Sequence, residues 1–144
     1  MRITVIDGMG GGIGAQIVTQ LKQELQGRAE IIALGTNAAA ADRMVRAGAD
    51  RGASGENAIR VSAAASDIIV GPIGIVIPDS MMGEVTSVMA QAVFASGAEK
   101  LLIPLVQPHF TIVGYESKPI GSLISQAVQA VKARTTGEKN ESES

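Results

Sequence analysis

The chain has 144 residues, enough for one domain with a sizeable core, and carries a formal net charge of −2. With no basic surplus, one Tyr, two Phe, no cysteine and a single histidine, it lacks the means to grip nucleic acid, form disulfides, use a thiol nucleophile or build a zinc centre, so neither a nucleic-acid partner nor a metal is expected. Hydrophobic residues make up 46% and aromatics 2%, so the core must be built from Ile, Val, Leu, Met and Ala, the mixture of buried parallel strands beneath helices in an α/β fold.

Arg2–Ile6 reads as the first strand. The glycine-rich run Gly8-Met9-Gly10-Gly11-Gly12-Ile13-Gly14 then turns the chain into a helix whose apolar face is Ile13, Ile17, Leu21 and Leu25, ending near Gly27. Glu30–Leu34 is the second strand, and Thr36 or Asn37 caps a helix that stops by Gly48. Ala49–Ala53 suits a short edge strand, and a helix from Ser54-Gly55-Glu56-Asn57 runs to about Ala65. Asp67–Val70, closed by Gly71-Pro72, is a fully buried strand.

The next segment, Ile73–Pro78, is apolar where a loop should be polar. With Met81-Met82 it implies a lid over the sheet or a contact with another subunit, and a homo-oligomer is expected. Val85, Val88, Met89, Ala92 and Val93 space as a helix ending at Gly97, followed by a strand at Lys100–Leu105. His109–Val113 reads as a further strand, and the short gap before it requires antiparallel pairing at the edge of the sheet. Pro119 opens a last helix with the stripe Ile120, Leu123, Ile124, Ala127, Val128 and Val131. Residues 1–134 read as one domain, and the polar stretch Thr135–Ser144 as a disordered tail. No apolar run approaches the ~20 residues that span a bilayer, and the amino terminus enters a strand directly, so a cytoplasmic protein without a membrane partner is expected.

A strand, a glycine turn and a helix N-terminus leave backbone N–H groups aimed at the loop, at the positive end of the helix dipole, which suits an anion such as a phosphate. The glycines fit two spacings, G-x-x-x-G-I-G through Gly8, Gly12 and Gly14, and G-x-G-x-x-A through Gly10, Gly12 and Ala15. The first resembles the nucleotide-binding turn of the short-chain dehydrogenase/reductases. That likeness implies a Rossmann-like three-layer fold, mostly parallel, with NADP or NAD as candidate cofactors and other nucleotides left open. The cofactor-binding residues it points to are Gly8, Gly10, Gly12, Ile13, Gly14, Thr36, Asn37 and Gly71. Read structurally, the same glycines only permit a sharp turn and close packing.

Three features depart from that family. Asp7 stands where the family usually has Thr, and a carboxylate ~5 Å from a phosphate costs roughly 3 kcal/mol at an effective dielectric near 20, more than the ~0.3–1 kcal/mol a helix terminus returns. Asp7 must therefore accept from loop amides, be bridged by a cation such as Mg²⁺, or face a ligand that is not an anion; the first is the expected role. No acid follows the second strand to hold a ribose, since Gly35-Thr36-Asn37 is neutral. The lone Tyr115 lies in Tyr115-Glu116-Ser117-Lys118, not in the Y-x-x-x-K spacing of a dehydrogenase helix. His109 and the carboxylates Glu56, Asp79 and Glu84 show no spacing that pairs two catalytic groups, while Ser54, Asp79 and Ser80 suit helix caps.

To about Val131, the segments Val5-Ile6-Asp7-Gly8, Ala33-Leu34-Gly35-Thr36-Asn37-Ala38, Gly55-Glu56-Asn57-Ala58-Ile59 and Asp67–Ile77 resemble a family of small bacterial proteins known only as a domain of unknown function. The resemblance implies no reaction and marks Gly55-Glu56-Asn57 as a stretch to test. The primary expectation is a nucleotide- or dinucleotide-binding sensor or accessory subunit, its phosphate held by the glycine loop. The alternatives are a reductase or transferase whose site is completed across subunits, and a structural oligomerisation module without a ligand.

Overall fold

The computed structural model describes residues 1–105 and 110–137. Five strands, β1 (Arg2–Asp7), β2 (Glu30–Gly35), β3 (Arg51–Ser54), β4 (Ile68–Pro72) and β5 (Glu99–Ile103), form one sheet in the order β3-β2-β1-β4-β5. Every pairing is parallel. The helices are α1 (Gly12–Leu25), α2 (Ala38–Arg46), α3 (Glu56–Ala64), α4 (Ser87–Ala95) and α5 (Ile120–Thr135), with a 3-10 helix at Ile73–Val76.

Strand alternation sorts the core into two layers. Ile3, Val5, Ile31, Ala33, Ile68 and Val70 face α1, Met44 of α2 and α5, whereas Ile6, Ile32, Leu34 and Ile69 face α3 and α4. The one hydroxyl buried within β1, on Thr4, meets the Ser66 hydroxyl at 2.5 Å, so no buried polar side chain among the described residues lacks a partner.

The chain steps outward from β1 through β2 to β3, then crosses back to lay β4 on the other side of β1. The loops leaving β1 and β4 therefore diverge above neighbouring strands. That divergence is the topological switch point, where open α/β sheets bind ligands.

The expected antiparallel edge strand is not formed: the sheet is wholly parallel and ends at β5. His109 lies outside the described residues. The apolar run after it, Phe110–Val113, turns at Gly114, with φ +87° and the Tyr115 N–H donating to the Ile112 carbonyl, and then runs on to α5. Phe110 makes an isolated bridge, and no strand extends from it through Val113.

Two further differences bear on the site. Helix α4 starts at Ser87, capped by the Thr86 hydroxyl accepting from the Met89 amide, so Val85 belongs to the preceding loop and is buried there, while Val88 faces solvent. The apolar stretch after Pro72 winds into the 3-10 helix against α4 and buries Ile75, which explains its composition within one chain. Helix α5 continues through Thr135, and the rest of the proposed tail from residue 138 lies outside the described residues.

Helix α5 closes the α1 face with Ile124, Val128 and Val131, each fully buried. Ile124→Ala is expected to cost about 2–5 kcal/mol of stability, read as a lowered urea midpoint with an unchanged slope.

Candidate functional site at the switch point

Asp7 ends β1 and is 5% exposed. Its Oδ1 accepts from the Gly8 amide at 2.8 Å and its Oδ2 from the Gly14 amide at 2.7 Å. One carboxylate thus ties the last residue of the strand to the first turn of α1 and sets the shape of the loop between them. The role expected of Asp7, acceptance from loop amides, is the one the geometry shows.

Within that loop, the Gly11 amide donates to the Gly8 carbonyl at 2.9 Å, and Gly11 stands at φ +74° as the N-cap of α1. A Cβ on Gly11 would lie 2.9 Å from the Ala40 backbone, and one on Gly14 would lie 2.5 Å from Met44 Sδ, so internal packing requires both glycines. Gly10 and Gly12 differ. A Cβ on either has only the Arg43 guanidinium within 4 Å, at 3.9 and 3.4 Å respectively.

Asp7 uses only one amide of the helix terminus. Among the described residues, no acceptor meets the amides of Gly10, Gly12 or Ile13. The Arg43 side chain, carried on α2, lies across this part of the loop with Nη1 3.4 Å from the Gly10 carbonyl oxygen. Unspent amides, the α1 dipole and a guanidinium converge at one place.

A cavity of about 260 Å³ opens beside them, walled by the loop from Gly8 to Ile13, by Pro72 and Gly74 after β4, and by Met81 and Leu105. Asp7 contributes its only ionisable lining group among the described residues.

The carboxylate of Glu84 lies on the other side of the loop. Its Oε1 accepts from the Met9 amide at 2.9 Å, from Thr36 Oγ1 at 2.7 Å and from Asn37 Nδ2 at 2.7 Å. Thr36 and Asn37 are thus bonded to Glu84 and do not line the cavity, while Asn37 Oδ1 also caps α2 by accepting from Ala40. The segment that delivers Glu84 is unusual: Asp79, Met81 and Met82 all have left-handed backbones, at φ 65°, 57° and 57°, and Met9 in the facing loop stands at 53°. Non-glycine residues pay for that conformation, and such strain gathers where a loop must reach a fixed point.

Of the residues proposed from sequence, Gly8, Gly10, Gly12 and Ile13 line the cavity. Gly14 lies behind it under Asp7, and Gly71 is buried in β4, where a Cβ would collide with the Ile6 carbonyl. Glu56 accepts from the Thr86 hydroxyl at 2.7 Å and takes no part. Arg43 was missed, and Glu84 was weighed only as an unpaired carboxylate, because each reaches the loop from a distant element. Among the described residues, no group of three His, Cys, Asp or Glu is placed to hold a metal ion, and no helix is long and apolar enough to cross a membrane.

A larger cleft of about 680 Å³ opens at the opposite end of the sheet, lined by Arg2, Lys22, Arg28, Glu30, Asp50 and Asp67 among others. Its charged groups serve the strand starts: Asp67 accepts from the Arg2 amide, Asp50 from the Ile31 amide, and Glu30 pairs with Arg2 and Arg51. Among the described residues that line it, none is the free N-terminus of a helix.

These features define an open, wholly parallel Rossmann-like α/β protein with its loops gathered above the carboxyl ends of β1 and β4. Residues 2–136 match the model of the family described as domain of unknown function DUF3842, and the chain belongs to that family. In overall fold the chain is similar to a dodecameric FMN-dependent Ubix-like decarboxylase from Escherichia coli O157:H7, at a TM-score of 0.54 and 14% identity, over 98% of this chain and 96% of that one. A universal stress protein in complex with cAMP is similar at a TM-score of 0.40 and 22% identity, over 70% of this chain and 95% of that one. No curated protein matches.

The two carboxylates of the site titrate in opposite senses. Burial pushes Asp7 above the usual carboxylate range, against the lowering effect of its two amide bonds, and the nearby Glu84 charge adds to the rise. The bond from Thr36, aided by those from Met9 and Asn37, holds Glu84 below its usual value. The stability that Glu84 contributes is therefore present above its unfolded value and lost as pH falls through the folded one; that of Asp7 is present at low pH and lost as pH rises through its folded value. Glu84→Gln is expected to flatten the acid limb of a stability–pH curve below about pH 4.5. Asp7→Ala leaves the buried Gly14 amide without an acceptor and should cost about 1–3 kcal/mol at neutral pH, measured by urea denaturation.

Proposed function

We propose that this protein binds a phosphorylated small molecule of the nucleotide class at the switch point and acts as a sensor or accessory subunit. One observation carries the reading: among the described residues the amides of Gly10, Gly12 and Ile13 have no acceptor, and these residues line the cavity at the N-terminus of the 14-residue helix α1. Arg43 supplies a cation beside them. The obstacle that Asp7 poses to an anion is reduced because both of its oxygens are turned onto amides within the loop. With no second ionisable group lining the cavity among the described residues, the arrangement favours binding over catalysis.

The test is a thermal-shift and calorimetric screen with inorganic phosphate, AMP, FMN, NAD and NADP; FMN is included because the structurally similar decarboxylase depends on it. A ligand at ~100 times its dissociation constant adds about 2.7 kcal/mol, a shift of several degrees. Gly12→Leu has room for its Cβ and is expected to fold normally while weakening phosphate-ligand binding at least tenfold. Unchanged binding by that variant would contradict the site.

We also propose that the chain is a homo-oligomer. Helix α4 carries no charged residue, and its outward face, which also holds Ser87 and Gln91, leaves Phe94 71% and Val88 43% exposed. Phe94→Glu is expected to lower the particle mass in light scattering without lowering the melting temperature of the protomer, and an unchanged mass would count against this face.

A further inference from the structure

We propose that Glu84 makes this a site for mononucleotides and closes it to dinucleotides. The inference rests on the phosphate site proposed above and concerns which way a bound ligand extends from it.

A dinucleotide held at the N-terminus of the first helix spreads across the switch point, one half over β4 and the other over β2, where an acid about 20 residues beyond the glycines usually holds its ribose. Here the two sides differ. Over β4 the cavity is open, walled by Pro72, Gly74, Met81 and Leu105. Over β2 the space is taken by the carboxylate of Glu84, whose Oε1 collects Met9 N–H, Thr36 Oγ1 and Asn37 Nδ2 at 2.9, 2.7 and 2.7 Å. The Glu84–Thr36 bond passes directly above Gly8: a Cβ there would lie 2.5 Å from Thr36 Oγ1 and 3.3 Å from Glu84 Oε1. A ribose over the ends of β1 and β2 would need the same donors and the same space.

The acid that a Rossmann site places on β2 is thus replaced by one delivered from the loop after β4, across the front of the glycine turn rather than beside it. It seals the position instead of offering it. The remaining cavity, about 260 Å³ among the described residues, is of a size to take part of one nucleotide. The ligand class that fits has a single phosphate end on Gly12 and Ile13 and a flat, largely apolar body directed toward Met81 and Leu105.

The experiment compares FMN, AMP, inorganic phosphate and NAD by calorimetry on the wild-type chain, Glu84→Ala and Glu84→Gln. The wild type is expected to bind FMN or AMP at least 100-fold more tightly than NAD. Glu84→Ala should raise the affinity for NAD relative to the preferred mononucleotide at least tenfold, whereas Glu84→Gln, whose amide oxygen still accepts from the three donors, should keep the wild-type ratio. Thr36→Val, which removes one donor outside the glycine loop, gives a second opening variant if Glu84→Ala fails to fold. Wild-type NAD binding as tight as that of the mononucleotides, or a ratio that neither opening variant changes, overturns the role of Glu84 alone. Failure of every probe, inorganic phosphate included, to bind any of these proteins overturns the phosphate site and this inference with it.

Discussion

The Asp7 carboxylate holds the site in its shape. A parallel strand must hand the chain to a helix within a few residues, and the helix begins with amides that no carbonyl of its own can satisfy. By accepting from Gly8 on one oxygen and Gly14 on the other, Asp7 satisfies one of these amides, folds the intervening glycines into a tight loop, and leaves the amides of Gly12 and Ile13 without an acceptor among the described residues. A neutral side chain at this place would hold the turn less tightly, because a hydrogen bond to an ionised acceptor is about twice as strong as one between neutral groups. The cost is a buried charge, which shows as a raised pKa.

Glu84 performs a related task from outside the loop. Where Asp7 anchors the loop to α1, Glu84 anchors Met9 to the ends of β1 and β2 through one oxygen with three donors. The two acids lie close enough for the Glu84 charge to raise the Asp7 pKa, and Arg43 partly offsets them. The left-handed residues Asp79, Met81 and Met82 are the conformational cost of bringing Glu84 to that point, offset by bonds within the segment such as Asp79 N–H to the Val85 carbonyl at 2.7 Å. The same bend carries Met81 over Gly8, where it lines the cavity.

Much of this architecture was legible in the sequence because it is periodic or local. The strands and helices follow from apolar spacing, and the role of Asp7 follows from an Asx residue facing a glycine turn a few residues away. The role of Glu84, named only as a candidate carboxylate, was not legible. Glu84 acts on Met9 across 75 positions, and no local pattern distinguishes it from any other loop acid. Arg43 was hidden for the same reason, being one of two arginines on α2. The glycines misled in a more instructive way: Gly11 and Gly14 are required by the Ala40 backbone and by Met44, contacts that only the packed fold creates, while Gly10 and Gly12 meet no such demand. The segment Phe110–Val113 has the composition of a strand, but a strand needs a continuous ladder, and beyond the single bridge at Phe110 none extends through it, since pairing is not written in composition.

The central claim is that the amides at the head of α1 are an anion site. Amide chemical shifts of Gly10, Gly12 and Ile13, followed in a ¹⁵N-labelled protein titrated with inorganic phosphate and then with a mononucleotide, test it most directly. Large, saturable shifts at Gly12 and Ile13, with Gly14 moving little because Asp7 holds it, are the predicted result. Saturable shifts confined to the Arg2–Lys22 cleft at the opposite end of the sheet, or none anywhere, would contradict it.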